Sequence, residues 1–200
     1  MGGAFVWRSG LAIDADGSPR AYHPDGKPGL DYLANAGKPG DWWGVATNVF
    51  GQPITQGKND PAPGFYVSVT SLIDRSKSVG DTRRYVDSET IPYITATHGM
   101  LSLGCRLGDV AMVCYGALDC AAVVADVGPN PGEGSIALAK ALGLPADPRN
   151  GGVSHPVVSF AVFKGSAAGW PRTNEDVAQQ SLRLFAEWGG TTRLMATLGH

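Results

Sequence analysis

Turn-forming residues break this chain so often that long helices have little room before residue 170. Twenty-eight glycines and 14 prolines fall among 200 residues. What lies between them is short, apolar and rich in β-branched or aromatic side chains, the signature of strands that end at Gly, Pro, Asp or Asn. The segments that read as strands are 4–8, 11–14, 43–49, 65–71, 92–97, 109–115, 121–126 and 157–164. The last of these is a near-continuous apolar run, as expected of a central strand. Gly17-Ser18-Pro19 and Asp25-Gly26-Lys27-Pro28-Gly29 read as turns, Gly supplying positive φ and Pro fixing φ.

Two helices are expected. One begins near Ser135, with Ile136, Leu138, Ala139 and Leu142 on its apolar face and Gly143 as its stop. The other follows Thr173, where Thr173-Asn174-Glu175-Asp176 resembles a capping box, and ends at Gly189-Gly190. Residues 16–64 are Gly/Pro-rich but carry enough aromatics to read as ordered loops rather than as disorder. The length suits one domain spanning 1–200, with a core at about 10–165 and a C-terminal helical extension over 170–200.

Several function classes are excluded. A formal charge of −2 and the lack of a Lys/Arg cluster argue against nucleic acid. No apolar run spans a bilayer, so no membrane partner is expected. The N-terminal Met1-Gly2-Gly3-Ala4-Phe5-Val6-Trp7-Arg8 has neither a basic nor an apolar signal region, so no Sec signal is read, and an extracellular or periplasmic target would need another export route. Cys105, Cys114 and Cys120 are odd in number and lack metal-ligand spacing; buried free thiols are expected. His23, His98 and His155 have no zinc spacing. There is no Gly-x-Ser-x-Gly elbow and no P-loop.

The chemistry concentrates in Asp119–Gly143. An apolar strand ends at Asp126, a Gly/Pro turn follows, Glu133 comes seven residues later, and a small-residue helix begins. Two carboxylates held across a rigid turn suit acid/base cleavage of a glycosidic bond, where one acid protonates the leaving oxygen and the other carboxylate activates water or attacks the sugar. The bland alternative is an Asx turn at Asp126 and a solvated acid at Glu133. Gly132 and Gly134 flank Glu133 and are expected to leave room for a bulky ligand; the following helix N-terminus should place free N–H groups beside it. Gly108-Asp109, ahead of an apolar strand, is a turn that recurs in double-psi β-barrels, and Asp109 is expected to bind backbone amides. Asp14 and Asp16 precede Gly17, but the residues that follow break the calcium-loop pattern; they read as a tight turn or as sugar-binding acids. In extended Trp42-Trp43 one ring should face a cleft.

These motifs resemble glycoside hydrolase family 75, the fungal-type chitosanases and their bacterial relatives. The residues carrying the resemblance are Ala12–Gly17 with Arg20-Ala21-Tyr22, Ile91–Ile94, Leu107-Gly108-Asp109, Val123–Gly128 and Gly132–Ala139. The resemblance implies a mainly β fold, a six-stranded double-psi β-barrel with decorating loops and two short helices. It implies endo-hydrolysis of β-1,4-linked glucosamine polymers by inversion, with Asp126 and Glu133 as the catalytic pair and no cofactor. Asp14, Asp16, Tyr22 and Trp42 are the expected substrate-binding residues, the acids because each ammonium leaving water needs a partner. No metal is expected. The Asp126-Val127-Gly128-Pro129 turn before a helix is also similar to expansins, RlpA-type proteins and MltA-type lytic transglycosylases. That similarity keeps two further readings: a peptidoglycan glycan-strand cleaver, with a secretion or immunity partner if it is an exported effector, and a non-catalytic wall-binding module.

Overall fold

A computed structural model describes residues 3–199. Met1 and Gly2, part of the stretch read for a signal, lie outside the described residues, as does His200. Among the described residues there are eight strands: β1 (Ala4–Asp14), β2 (Gly37–Lys38), β3 (Asp41–Trp42), β4 (Tyr93–Ala96), β5 (Val110–Tyr115), β6 (Leu118–Val127), β7 (Glu133–Ser135) and β8 (Val153–Phe163). Six of them close into a barrel in the order β1-β7-β4-β6-β5-β8; β2 and β3 form a small separate hairpin. The β1–β7 and β4–β6 pairs are parallel and the other barrel pairs are antiparallel. Closure leaves no free sheet edge in the barrel, which protects a chain this rich in short strands from edge-to-edge pairing.

The stretches 4–8 and 11–14, read as separate strands, are the two arms of β1. A register shift between Ser9 and Leu11 joins them, with Leu11 facing Val153 and Ser9 facing Val158. Gly10 sits there because a Cβ would drive into the Val153 carbonyl of the neighbouring strand. The segments 43–49 and 65–71 differ from expectation. They form no ladder and are tied instead by single bridges, Val45 to Ser68, Thr47 to Pro53 and Thr55 to Tyr66. Several of their apolar residues do bury: Ala46 and Val67 make a small core with Tyr85, and Val45 joins the main one, as do Ala21, Tyr22 and Ala36 from the preceding loops. The long segment between β1 and β4 is thus an ordered cover over one wall of the barrel.

Two short helices flank that wall. α1 (His98–Ser102) is capped by Thr97, and α2 (Ile136–Ala141) by Ser135, whose Oγ accepts from Leu138 N and also from Tyr93 N. Leu138, Ala139 and Leu142 of the expected apolar face are fully buried against Leu11 and Ile94. The C-terminal extension is α3 (Asn174–Trp188) and α4 (Gly190–Leu198). The capping box at Thr173 is formed, Thr173 Oγ1 accepting from Asp176 N at 3.1 Å. Val177, Phe185 and Leu194 bury against Phe163, Ala161, Met112 and Val123, so the extension covers the barrel wall formed by β5, β6 and β8.

Cys105 is buried and Cys114 and Cys120 are half-buried free thiols. Burial pushes all three up to about 11, away from thiolate chemistry. Asp109 is fully buried and accepts from Arg106 N at 2.9 Å and Ala167 N at 2.8 Å, tying the turn before β5 to the segment after β8. Among the described residues no helix is long and apolar enough to cross a membrane.

Candidate functional site

Four neighbouring strands, β1, β7, β4 and β6, each deliver one polar side chain to the same wall. Strand alternation does most of this. Leu11 and Ile13 enter the main core, so Asp14, next in line, turns the other way at the end of β1. In β7, Gly134 faces the main core, where a Cβ would meet Leu138 and Leu11, and the register that pairs Ala12 with Glu133 and Asp14 with Ser135 puts Glu133 on the same face as Asp14. Ile94 of β4 enters the core and Thr95 does not.

Asp126 needs an extra device. Along β4 and β6, Ile94 faces Val124 but Thr95 faces Asp126, so Ala125 is an unmatched residue. This β-bulge reverses the alternation and swings Asp126 onto the face that carries Thr95 and Glu133. The cover segment anchors the bulge: Leu72 N donates to the Ala125 carbonyl at 2.8 Å. Asp126 is 8% exposed, and a single oxygen takes three donors. Its Oδ1 accepts from Ser71 N at 3.0 Å, Ser71 Oγ at 2.5 Å and Val127 N at 2.8 Å. Such bonds favour the ionised form, yet burial outweighs them and raises the acid above the ordinary carboxylate range.

Glu133 is held differently. It is half-buried, and Thr95 Oγ1 lies 3.4 Å from its Oε2, a weak contact. Burial pushes its pKa up, with the negative charge of Asp126 adding to the effect. Its neighbourhood corrects two expectations. Glu133 belongs to β7 rather than to the entry of α2, whose N-terminal amides are capped by Ser135. Gly132 and Gly134 do not leave room for a ligand. A Cβ on Gly132 would strike Ser9 and Gly10, and one on Gly134 would meet Leu138 Cδ2 at 2.7 Å and the Tyr93 carbonyl at 2.9 Å. The glycine that serves the carboxylate is Gly128, where a Cβ would overlap Glu133 Oε2.

Asp14 and Asp16 complete the wall. Asp14 Oδ1 accepts from Asp16 N at 2.8 Å, which fixes the local turn. Asp16 Oδ1 accepts from Tyr22 Oη at 2.7 Å and Ser68 Oγ at 3.3 Å. Burial first, then the Asp126 charge, raises Asp14 to about 7; burial and the Asp14 charge hold Asp16 high as well. The hydroxyl protons of Tyr22 and Tyr93 are held firmly by burial and the same anions. Asp14, Asp16 and Asp126 can each bring one oxygen within 4.8 Å of the others. Three carboxylates this close in a buried setting favour either shared protons or a bound cation, organic or inorganic.

Asp14, Asp16, Thr95, Asp126 and Glu133 line one cavity of about 490 Å³. Its charged lining consists of Asp14, Asp16, Asp31, Asp126 and Glu133, without a Lys or Arg side chain. Tyr22 also lines it, but as a buried buttress of Asp16. Trp42 is a correction: it packs beside Tyr66, ring centroids 6.2 Å apart, against the main core. Its neighbour Trp43 lines the cavity instead, 59% exposed, with Nε1 donating to the Asn35 carbonyl at 2.8 Å. The expected alternation of the two rings holds with the roles exchanged.

Asp31, Asn35, Thr95 and Ser71 were not legible as site residues. Asp31 is buried and accepts from Tyr32 N at 2.7 Å and from Asn35 Nδ2 at 3.0 and 2.9 Å, an arrangement set by the 3-10 turn Leu33–Ala36. An acid four residues before an Asn was the available signal, and it is a weak one. No protein-family model matches this chain, and a search of curated proteins finds no significant match.

Proposed function

We propose that this protein is a glycoside hydrolase acting on β-1,4-linked amino-sugar polymers, chitosan above all, on a double-psi β-barrel. The observation that carries the reading is the single cavity in which Asp126 and Glu133 share a wall with Thr95 and the rest of the charged lining is carboxylate. The parallel β1–β7 and β4–β6 pairs within a closed barrel support the double-psi topology.

Glu133 is assigned as the general acid. It is raised by burial, and only one weak contact favours its anion, so it can hold a proton for the leaving oxygen. Asp126 is assigned as the base. Three donors pin its Oδ1, which orients the carboxylate and leaves Oδ2 for water. Inversion requires the two carboxyl groups to be about 6.5–9.5 Å apart so that water fits between sugar and base. Asp14, Asp16 and Asp31 would receive sugar ammonium groups, whose charge offsets the repulsion among the acids. Trp43 offers a ring face for stacking on a pyranose.

The same charge pattern favours chitosan over peptidoglycan. Peptidoglycan strands carry carboxylates of their own, and a cavity lined by five acids repels them. A wall-binding module needs a flat aromatic platform and has no use for buried acids with raised pKa values. The test is direct: incubate the protein with chitosan and with purified sacculi, and measure new reducing ends and soluble muropeptides. Reducing ends from chitosan and none from sacculi support the reading. Muropeptide release without chitosan cleavage overturns it.

A further inference from the structure

We propose that the C-terminal extension builds a second binding site, apart from the acidic cavity, for an amphipathic anion: a carboxylate on an apolar body. The site is a cavity of about 560 Å³ between the extension and one end of the barrel. It shares no lining residue with the acidic cavity. Its size falls among small-molecule sites, about 300–1,000 Å³.

Helical spacing makes one wall. Val177 and Phe185 of α3 are buried in the core beneath the extension. Gln180, Arg183, Leu184, Glu187 and Trp188 follow at i, i+3, i+4, i+7 and i+8, a flank of α3 that lines the cavity. Arg193 and Thr197, four apart on α4, add a second side. The barrel supplies the rest: the start of β1 and the end of β8, where Ala4 pairs with Phe163, and Lys164 in the turn beyond. Ala4, Val6, Phe163, Leu184 and Trp188 give the cavity an apolar floor. An occupant therefore touches the barrel and both helices at once.

Charge selects the head group. The chain as a whole carries −2, yet this lining holds Lys164, Arg183 and Arg193 against one acid, Glu187. Glu187 is taken by Arg183, 3.1 Å away and one helical turn back. Among the described residues neither Lys164 nor Arg193 has a carboxylate partner. Aromatic rings hold them instead. Lys164 Nζ lies 4.8 Å from the centroid of Phe5, and the Arg193 guanidinium 5.0 Å from that of Trp188, with Nη1 donating to the Trp188 carbonyl at 3.0 Å. Ring contacts fix a cation while leaving N–H donors free for an anion. A carboxylate gains charge-assisted bonds there. An anion without an apolar body would leave the floor wet, and an apolar cation would meet like charges.

Decanoate is the probe. Acetate serves as the head without the body, and decyltrimethylammonium as the body with the opposite charge. Each is titrated into the protein below its micelle concentration, followed by calorimetry, by NMR of the Trp188 indole and by thermal melts. Decanoate should bind, shift the Trp188 signal and raise the unfolding temperature, while the two controls do neither. Its affinity should fall as salt is added. Arg183→Glu alters an exposed side chain and Lys164→Glu a half-buried one outside the core, and each should weaken decanoate about tenfold. Thr197→Trp, at another exposed position, fills the cavity from its rim and should block binding with the fold intact. Glu133→Gln should bind decanoate as the parent does, which separates this site from the hydrolase reading. Acetate or decyltrimethylammonium binding as tightly as decanoate overturns the proposal. So does decanoate that leaves Trp188 unshifted, or that binds equally well to both folded charge-reversal variants.

Discussion

Replacing Gly128 by alanine tests whether Glu133 must stand where the fold puts it. The backbone at Gly128 is outside the left-handed region, so alanine meets no φ penalty there. The conflict lies at the side chain: the new methyl would overlap Glu133 Oε2 and sit 3.4 Å from Thr95 Oγ1. Relieving the overlap requires the carboxylate to retreat by about 1 Å, a displacement of the size that costs ~100-fold when a reacting group is moved. The retreat also breaks the 3.4 Å contact with Thr95. Stability should change little, because the entropy gain of Gly→Ala, ~0.4–1 kcal/mol, opposes the strain. Gly128→Ala should therefore lower kcat on chitosan about 100-fold with an unfolding temperature near that of the parent. Combining it with Glu133→Asp, which shortens the clashing side chain, should cost less than the sum of the single changes. A folded Gly128→Ala protein with kcat within about threefold of the parent would refute the placement of Glu133 as proton donor.

Other consequences follow from the same geometry. Asp14 is raised from an ordinary 3.8 to about 7, so its folded form binds a proton that the unfolded chain has released, and this contribution to stability is complete below about pH 4 and lost as pH climbs through 7. Asp14→Asn should therefore raise the unfolding temperature more at pH 8 than at pH 4; the opposite order in thermal melts would contradict the burial argument. Trp43→Ala should raise KM for polymer with little loss of stability, whereas Trp42→Ala, which removes a ring from beside Tyr66 and the core, should cost about 3 kcal/mol in denaturant titration. Activity should survive chelation and dialysis, because the assigned steps use only protein carboxylates; loss on chelation with recovery on adding calcium would make Asp14, Asp16 and Asp126 a metal site.

The sequence disclosed most where local signals and tertiary structure agree. β5, β6 and β8 follow from apolar β-branched runs, and α2 and α3 from Ser135 and Thr173 as caps. Asp126 and Glu133 stood out through their spacing across a Gly/Pro turn. The strand β7 was hidden because Glu133-Gly134-Ser135 has no strand-forming residue; it exists because β1 and β4 hold it from either side. The bulge at Ala125 leaves no local mark either, since it is defined by the register of β4 against β6. Trp42 and Trp43 exchanged roles because alternation says only that one ring faces out; the hairpin at 37–42 and Tyr66 decide which. Asp31 and Ser71 reach the site through folds of the long cover segment, whose single bridges have no periodicity to read.

The central claim is that Glu133 and Asp126 hydrolyse an amino-sugar glycosidic bond by inversion, and time-resolved proton NMR of chitosan digestion tests it most directly. Inversion at a β-linkage must release the α-anomer first, before mutarotation. The account predicts early α reducing-end signals from the parent protein, and none above background from Glu133→Gln at equal concentration with its fold intact. Early β signals would show retention. Reducing ends produced equally by Glu133→Gln, or none from the parent, would contradict the claim outright.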